Sequence, residues 1–152
     1  MAVFRIGRTT ALPAPECWRR VTDWEAHGAG VPATSVSVRG PLPVGEGSTV
    51  VARTGLGDRL GFDDPMEIVR WSPPSPGRAG VCRLEKRGRV VTGWAWIEVH
   101  PTWSGSVVLW VEGLRVRGVP GLLDPLVARA GRAVFGRALD RLLASPRQPA
   151  PD

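Results

Sequence analysis

The chain has 152 residues, enough for one hydrophobic core of ordinary size and too few for two. Hydrophobic residues make up 43% of it and charged residues 22%, which is typical of a water-soluble globular protein. The net charge of +6 raises the question of a nucleic-acid partner, yet the arginines are spread from Arg5 to Arg147, with no run longer than Arg19–Arg20. Such a distribution forms no phosphate-binding cluster, and nucleic acid is not the expected partner.

The sequence gives no sign of a membrane span or an export signal. The longest apolar stretch is interrupted by Arg132 and Arg137, so no membrane span is predicted. Residues 1–10 contain no apolar run of signal-peptide length, and we expect the protein in the cytoplasm. Cys17 and Cys82 belong to no CxxC motif, and we expect two buried, reduced thiols.

The N-terminal part predicts one strand and one short helix. Residues 3–10 alternate in character, as in a strand with Phe4 and Ile6 on one face. Pro13 and Pro15 suit a first helical turn, and the helix is expected to end before residues 28–30. Its apolar face is formed by residues at helical spacing, namely Cys17, Trp18, Val21 and Trp24.

Residues 33–116 consist of short alternating segments separated by glycine and proline. At this spacing they indicate an antiparallel meander. The predicted strands are 33–40, 47–55, 65–71, 81–88, 90–100 and 106–116. The longer separators have turn and loop composition, and they are 40–47, 55–64 and 72–80.

A long helix is predicted at the C-terminus. Asp124 and Pro125 suit a helix start, and no further proline occurs until Pro146. The expected apolar stripe has Phe135 and Leu139 at its edge and consists of Leu126, Val127, Ala130, Val134, Ala138 and Leu142. We therefore expect one domain over residues 1–145 and a disordered, proline-rich tail over residues 146–152.

Four segments, in this order, resemble the START-like (SRPBCC) helix-grip superfamily, which includes the polyketide cyclase/dehydrase and lipid-transport family. They are residues 9–27 (TTALPAPECWRRVTDWEAH), 44–53 (VGEGSTVVAR), 64–74 (DPMEIVRWSPP) and 88–112 (GRVVTGWAWIEVHPTWSGSVVLWVE). The resemblance covers about residues 3–144. A long amphipathic helix and a curved antiparallel sheet also satisfy each other's need for burial.

The resemblance implies an α+β helix-grip fold, in which a curved antiparallel seven-stranded sheet wraps around the long C-terminal helix. A short helical segment lies between strands 1 and 2. It also implies a cavity between helix and sheet, which in relatives holds hydrophobic or amphipathic small molecules. The superfamily contains both enzymes and binding proteins, so the resemblance does not decide between them.

The strand at residues 90–100 supplies the main site candidates, because Trp94, Trp96 and Glu98 share one of its faces. If this face lines the cavity, the indoles are flat apolar walls and Glu98 is a carboxylate of raised pKa, suited to acid–base catalysis. In the alternative, the apolar face that contains Ala95 points inward. The two tryptophans then lie on the outer surface or at a homodimer contact.

The other candidate ligand-binding residues are Trp110, Leu126, Ala130 and Val134. Small residues on the same helix, including Gly131 and Ala138, either leave volume for a ligand or allow close helix–sheet packing. No metal or cofactor site is predicted, since His27 and His100 have no third ligand at metal spacing. Both histidines are expected at the surface.

Three functions follow from these patterns. The first is binding of a hydrophobic or aromatic small molecule, such as a polyketide-like metabolite or a lipid, in the cavity. The alternative is a metal-free polyketide cyclase, aromatase or dehydratase with Glu98 as its catalytic group. The third is a basic module that contacts RNA or an acidic protein through Arg129, Arg132 and Arg141.

Overall fold

The computed structural model describes residues 1–56 and 60–144. Short 3₁₀ turns at Gly28–Gly30 and Gly121–Leu123 precede β2 and α3. In chain order the strands and helices are β1 Ala2–Thr10, α1 Ala14–Val21, α2 Trp24–His27, β2 Thr34–Arg39, β3 Thr49–Leu56, β4 Leu60–Ser72, β5 Gly80–Arg87, β6 Val91–Thr102, β7 Gly105–Val116 and α3 Asp124–Ala144. The predicted disordered tail, residues 146–152, lies outside the described residues.

The seven strands form one antiparallel sheet in the order β1-β7-β6-β5-β4-β3-β2. Strands β2 to β7 follow one another as a meander, and β1 pairs with β7 along its whole length, from Ala2 opposite Leu114 to Thr10 opposite Ser106. The helices α1 and α2 fill the connection between β1 and β2, and α3 packs on the same apolar face of the sheet. The α+β helix-grip architecture expected from the sequence is confirmed.

The strand predictions agree with the structure except at β4. The sequence placed residues 55–64 in a loop because of their glycines and aspartates, but β3 continues to Leu56 and β4 begins at Leu60, while residues 57–59 lie outside the described residues. Its first residues pair with β3, with Asp63 opposite Arg53 and an ion pair of 2.9 Å between them. Cross-strand pairing therefore overrides the turn-like composition of this segment.

The predicted first helix is divided into two. The chain leaves the helical path at Thr22, and Asp23 starts α2 by accepting a hydrogen bond from the Ala26 amide at 3.3 Å. The expected apolar face is nevertheless buried, including both Cys17 and Trp24. Cys17 and Cys82 are buried free thiols, as expected. Burial raises the pKa of the Cys82 thiol to about 12, so it stays protonated and unreactive at neutral pH.

The apolar stripe of α3 is rotated relative to the sequence prediction. Leu126 is 64% exposed and Ala130 is exposed, whereas Leu139 is completely buried. The predicted stripe followed positions four residues apart, and each such step turns about 40° around the helix, so Leu126 and Leu142 lie about 160° apart. The buried residues of α3 are Gly136, Ala138, Leu139 and Leu142.

The main contacts of α3 are with β1, with the Gly28–Gly30 turn and with α1. At β1, the ring of Phe4 occupies the place that a Cβ at Gly131 would take. At the turn, a Cβ at Gly30 would lie only 2.8 Å from the Ala138 Cα. Of the two alternatives for these small residues, close packing is therefore observed at Gly131, whereas Ala138 packs against Gly30 and also borders open volume beside the sheet.

We predict opposite effects for the same substitution at the two glycines of α3. Gly131→Ala should lower the free energy of unfolding by about 1–3 kcal/mol, because its methyl group overlaps the Phe4 ring. At Gly136 the new methyl group meets only the flexible end of the Arg8 side chain, at 3.1 Å. Gly136→Ala should therefore show the ordinary gain in helix propensity, up to about 1 kcal/mol. Urea unfolding of both variants tests this, and equal effects would contradict it.

Candidate functional site

A cavity of about 240 Å³ lies between α3 and the inner face of the sheet. Side chains from β2 to β7, α2 and α3 form its wall, and most of them are apolar. The less buried lining residues lie at one end of the sheet, where β2 begins and β3 ends, and they include Val31, Thr34, Thr54 and Phe62. The cavity is therefore closed by the core on one side and opens toward this end.

Aromatic rings cover the side of the cavity nearest α2 and α3. The His27 ring lies 5.2 Å from Trp24 and 5.5 Å from Trp110, measured between centroids. Phe135 of α3 continues the row, 5.6 Å from Trp110 and 5.7 Å from Phe4. Rings at these separations pack favourably and give the cavity a rigid, flat wall.

The expectation that His27 lies at the surface is wrong, because its side chain is buried in this aromatic wall. Its Nε2 donates a hydrogen bond to the Val21 carbonyl oxygen at 2.8 Å. Burial lowers the pKa of His27, so the imidazole is neutral at neutral pH with its proton on Nε2. The reason for the wrong expectation is that α2 turns its last residue toward the sheet instead of continuing the direction of α1.

A cluster of three buried charged residues lies in the part of the wall that the sheet forms, next to Trp110 of the aromatic row. The ammonium of Lys86, on β5, lies 3.1 Å from Asp64 Oδ2 on β4 and 3.1 Å from Glu112 Oε1 on β7. Trp110 Nε1 donates to the second carboxylate oxygen of Glu112 at 3.1 Å. Met66 Sδ lies 3.2 Å from the same ammonium. We call Asp64, Lys86 and Glu112 the charged cluster.

Small residues on β6 let the charged cluster form across three strands. β6 lies between β5 and β7, and it places Gly93 directly opposite Lys86 and Ala95 directly opposite Glu112. Gly93 has a φ of +139°, and a Cβ there would collide with the Gly113 carbonyl oxygen. The Lys86 side chain can therefore pass over β6 and reach a carboxylate on the strand beyond.

The charged cluster has a definite charge state at its lysine. Burial by itself lowers the pKa of Lys86, but the carboxylates of Glu112 and Asp64 act more strongly and raise it above its ordinary value. Lys86 is thus an ammonium at neutral pH and not a free nucleophile. One ammonium against two carboxylates leaves one formal negative charge on the cluster.

Three buried polar atoms in the wall form no assigned hydrogen bond with the described residues. They are Trp24 Nε1, Asp64 Oδ1 and Glu112 Oε1. Glu112 Oε1 nevertheless lies 3.1 Å from the Lys86 ammonium, which compensates its charge, so Asp64 Oδ1 is the carboxylate oxygen of the cluster that has no partner among the described residues. A buried carboxylate oxygen without a donor is costly unless another molecule supplies one. The charged wall therefore has capacity to accept hydrogen bonds from a guest.

The structure corrects the expectation that Trp94, Trp96 and Glu98 line the cavity. These three residues lie on the outer face of β6. Their neighbours Ala95, Ile97 and Val99 are buried and face the core, so the alternative considered from the sequence is the one observed. The indole of Trp94 covers Gly113. The Arg70 guanidinium lies over the Trp96 ring, 5.7 Å from its centroid.

The environment of Glu98 also differs from the expectation of a raised pKa. Its carboxylate accepts hydrogen bonds from Trp96 Nε1 at 2.6 Å and from His100 Nε2 at 2.6 Å. Partial burial raises the pKa of Glu98, but these hydrogen bonds outweigh burial and lower it below its ordinary range. A more strongly ionised carboxylate on the outer face is not an acid–base group for the cavity.

Of the other candidate residues, the structure brings only Trp110 to the cavity. Leu126 and Ala130 are exposed, and Val134 is half-buried without lining the cavity. The residues that α3 contributes to the cavity instead are Phe135, which directly follows the predicted Val134, and Ala138, one turn further along the helix. This shift follows from the rotated stripe of α3 described above.

The sequence contains a signal for the charged cluster, which is the position of three charged residues within alternating strands. Asp64, Lys86 and Glu112 each occupy the inward phase of an alternation, next to Met66, Leu84 and Leu114 respectively. A charged residue in that phase predicts a buried charge, and a buried charge needs a partner. Lys86 is also the only lysine of the chain.

A second depression, of about 530 Å³, lies among the loops at the other end of the sheet. It is larger, but it is open to solvent, and none of the described residues that line it is titratable. Its lining is rich in proline and small residues, with Trp103 at the turn between β6 and β7. We regard the smaller cavity as the candidate site because it encloses its contents and contains the charged cluster.

Residues 1–56 and 60–144 hold no group of three or more His, Cys, Asp or Glu side chains arranged to bind a metal ion. Within the same ranges, no helix is both long enough and apolar enough to cross a membrane.

No protein-family model matches the chain, and no curated protein matches it in sequence. Solved structures nevertheless share its fold over nearly the whole chain. TTHA0849 from Thermus thermophilus has a TM-score of 0.68 at 16% identity, covering 95% of this chain and 99% of its own. Ara h 8.0201 has a TM-score of 0.61 at 13% identity, covering 94% and 98%. The Zhui aromatase/cyclase from Streptomyces has 0.62 at 11% identity, covering 93% and 90%. At these identities the likeness establishes the START-like helix-grip fold and no activity.

We predict that Lys86→Met lowers the free energy of unfolding by about 3–5 kcal/mol, because it leaves two buried carboxylates without their counter-ion. The neighbouring Arg87→Met is the matched control. Arg87 is 56% exposed and pairs with Glu67 and Glu85 at the surface, so its loss should change stability by at most about 1 kcal/mol. Chemical unfolding measures both, and equal losses would refute the buried pairing.

We predict that His27 makes the protein less stable as the pH falls below about 6.5. The lowered pKa of His27 means that the unfolded chain takes up a proton that the folded state resists, which costs up to about 1.4 kcal/mol per pH unit. His27→Gln should flatten this part of the stability profile. Unfolding measured between pH 7 and pH 5 tests this, and parallel profiles for the wild type and His27→Gln would contradict it.

Proposed function

We propose that the protein binds a small, mostly apolar molecule in the cavity between α3 and the sheet. The observation that carries this proposal is the cavity itself, which has aromatic and aliphatic walls and a single charged cluster. Enclosed apolar spaces with a few placed polar groups are the usual form of small-molecule sites. A core built for stability alone would fill this space with side chains.

The volume of the cavity restricts the size of the ligand. An engineered apolar cavity of about 150 Å³ binds benzene, and pockets for drug-sized molecules begin at about 300 Å³. The cavity found here, about 240 Å³, falls between these sizes. A molecule of about two rings fits it, whereas a long-chain lipid or a four-ring polyketide does not fit without expansion. Of the expected ligands, a small aromatic metabolite is therefore favoured.

The aromatase/cyclase among the structural neighbours makes a cyclase activity the natural alternative. That activity belongs to the neighbour, and nothing in this cavity specifically favours it. Glu98, expected as the acid–base group, lies on the outer face, and Lys86 is held as an ammonium. We therefore propose binding and do not assign a reaction.

The remaining expectations stay predictions. Arg129, Arg132 and Arg141 are exposed on α3, where a basic interaction module would need them, and binding through them would weaken steeply with salt. A homodimer through the outer face of β6 would cover Trp94 and Trp96. A cytoplasmic location agrees with two buried, reduced thiols.

We predict that the protein binds naphthalene, a two-ring probe, and that Ala52→Trp weakens this binding at least about tenfold by filling the cavity. Ala52 lines the cavity from β3, opposite Val36 of β2. Equilibrium dialysis of the purified protein with the probe measures both affinities.

Two variants serve as controls for this experiment. Ser35→Trp adds the same side chain at an exposed position of β2 and should leave the affinity for naphthalene unchanged. Glu98→Gln should also leave it unchanged, because that carboxylate faces away from the cavity. Failure of the wild type to bind naphthalene, or undiminished binding by Ala52→Trp, would overturn the proposed site.

A further inference from the structure

The charged cluster gives the cavity wall an excess of negative charge, although a lysine alone would suggest a positive one. A buried lysine in an apolar pocket is an obvious partner for the carboxylate of an acidic ligand. Here the ammonium already lies 3.1 Å from each of two carboxylates, Asp64 and Glu112. Its charge is therefore more than balanced by the protein's own groups.

The rest of the lining adds no positive charge. His27 is the only other basic residue among the described lining residues, and its lowered pKa keeps it neutral. Two carboxylates against one ammonium leave the wall with an excess of negative charge in a medium of low polarity. A second anion entering this space would meet repulsion that is weakly screened.

The unused hydrogen-bonding capacity of the wall is also mainly that of acceptors. Asp64 Oδ1 is buried and has no partner among the described residues, and Glu112 Oε1 has only the Lys86 ammonium at 3.1 Å, whereas Trp24 Nε1 is the one buried side-chain donor of the described residues without a partner. Glu112 is held in place by Trp110 Nε1 and is only 1% exposed, so its oxygens cannot turn to solvent. A ligand that binds against this wall would form hydrogen bonds with these oxygens if it carried donor groups.

We infer that the cavity selects a small aromatic molecule bearing a hydrogen-bond donor, such as a phenolic or alcoholic hydroxyl group, and excludes aromatic carboxylates. This inference rests on the proposed function and specifies its ligand class. The charged cluster receives the hydroxyl group, and the rings lie against the wall formed by Trp24, His27, Trp110 and Phe135.

Three probes of similar shape test the inference: naphthalene, 2-naphthol and 2-naphthoate. A hydroxyl group makes the molecule more soluble in water, so a purely apolar cavity would bind 2-naphthol less tightly than naphthalene. Donation to a buried carboxylate reverses this order, and we expect 2-naphthol to bind about tenfold more tightly or better. We expect 2-naphthoate to bind at least about tenfold more weakly than naphthalene.

Substitution of the cluster identifies the group responsible. Glu112→Gln removes one charge and keeps an oxygen that can accept from Trp110, and it should reduce the preference for 2-naphthol severalfold while improving the binding of 2-naphthoate. Asp64→Asn is a second variant of the same kind, which leaves Lys86 paired with Glu112. Glu98→Gln is the control on the outer face and should keep the order of the wild type. The affinity for naphthalene shows in each case that the cavity is intact.

The outcomes separate the inference from the proposed function. If no probe binds, the proposed function fails and the inference fails with it. If naphthalene binds but 2-naphthol binds no more tightly, or if 2-naphthoate binds most tightly, the proposed function stands and the inference is overturned. Should neither cluster variant fold, the order of the three probes on the wild type still decides the matter.

Discussion

The site depends on where α3 is held above the sheet. Two contacts leave no room for additional atoms, one between Gly131 and the Phe4 ring and one between Gly30 and Ala138. Because these contacts lie on β1 and on the turn after α2, the helix is supported at its two sides. Side chains of the middle strands line a cavity that Phe135 and Ala138 of α3 cover. A bulkier residue at either contact would move the roof of the cavity.

Within that space the charged cluster is the feature least explained by folding. Apolar residues at positions 64, 86 and 112 would serve stability at least as well, since buried ion pairs seldom exceed well-packed apolar groups in stabilisation. The chain instead places small residues, Gly93 and Ala95, on β6 so that Lys86 reaches across it. An arrangement that crosses three strands and leaves Asp64 Oδ1 without a donor among the described residues fits the proposed ligand site better than a purely supporting role.

The two faces of β6 have different roles, and the sequence left undecided which of them points toward the core. Inward, its small and aliphatic side chains form the floor of the core. Outward, Trp94 covers the bare backbone of Gly113, and Trp96 lies beneath Arg70. The aromatic residues that look most like a binding site in the sequence thus stabilise the outer surface of the sheet. The aromatic wall of the cavity comes from α2, β7 and α3.

Local patterns were sufficient to predict the order of the elements and most strand limits, because alternation, helical spacing and glycine–proline punctuation act within a few residues, and the resemblance to a known superfamily added the helix-grip architecture. They could not decide which face of β6 points inward, since both of its faces are apolar enough to be buried. They also misplaced the stripe of α3, since a row of residues four apart winds around the helix. Only the tertiary structure decided that Asp64, Lys86 and Glu112 meet, because their contact depends on strand register across the sheet and on a glycine between them.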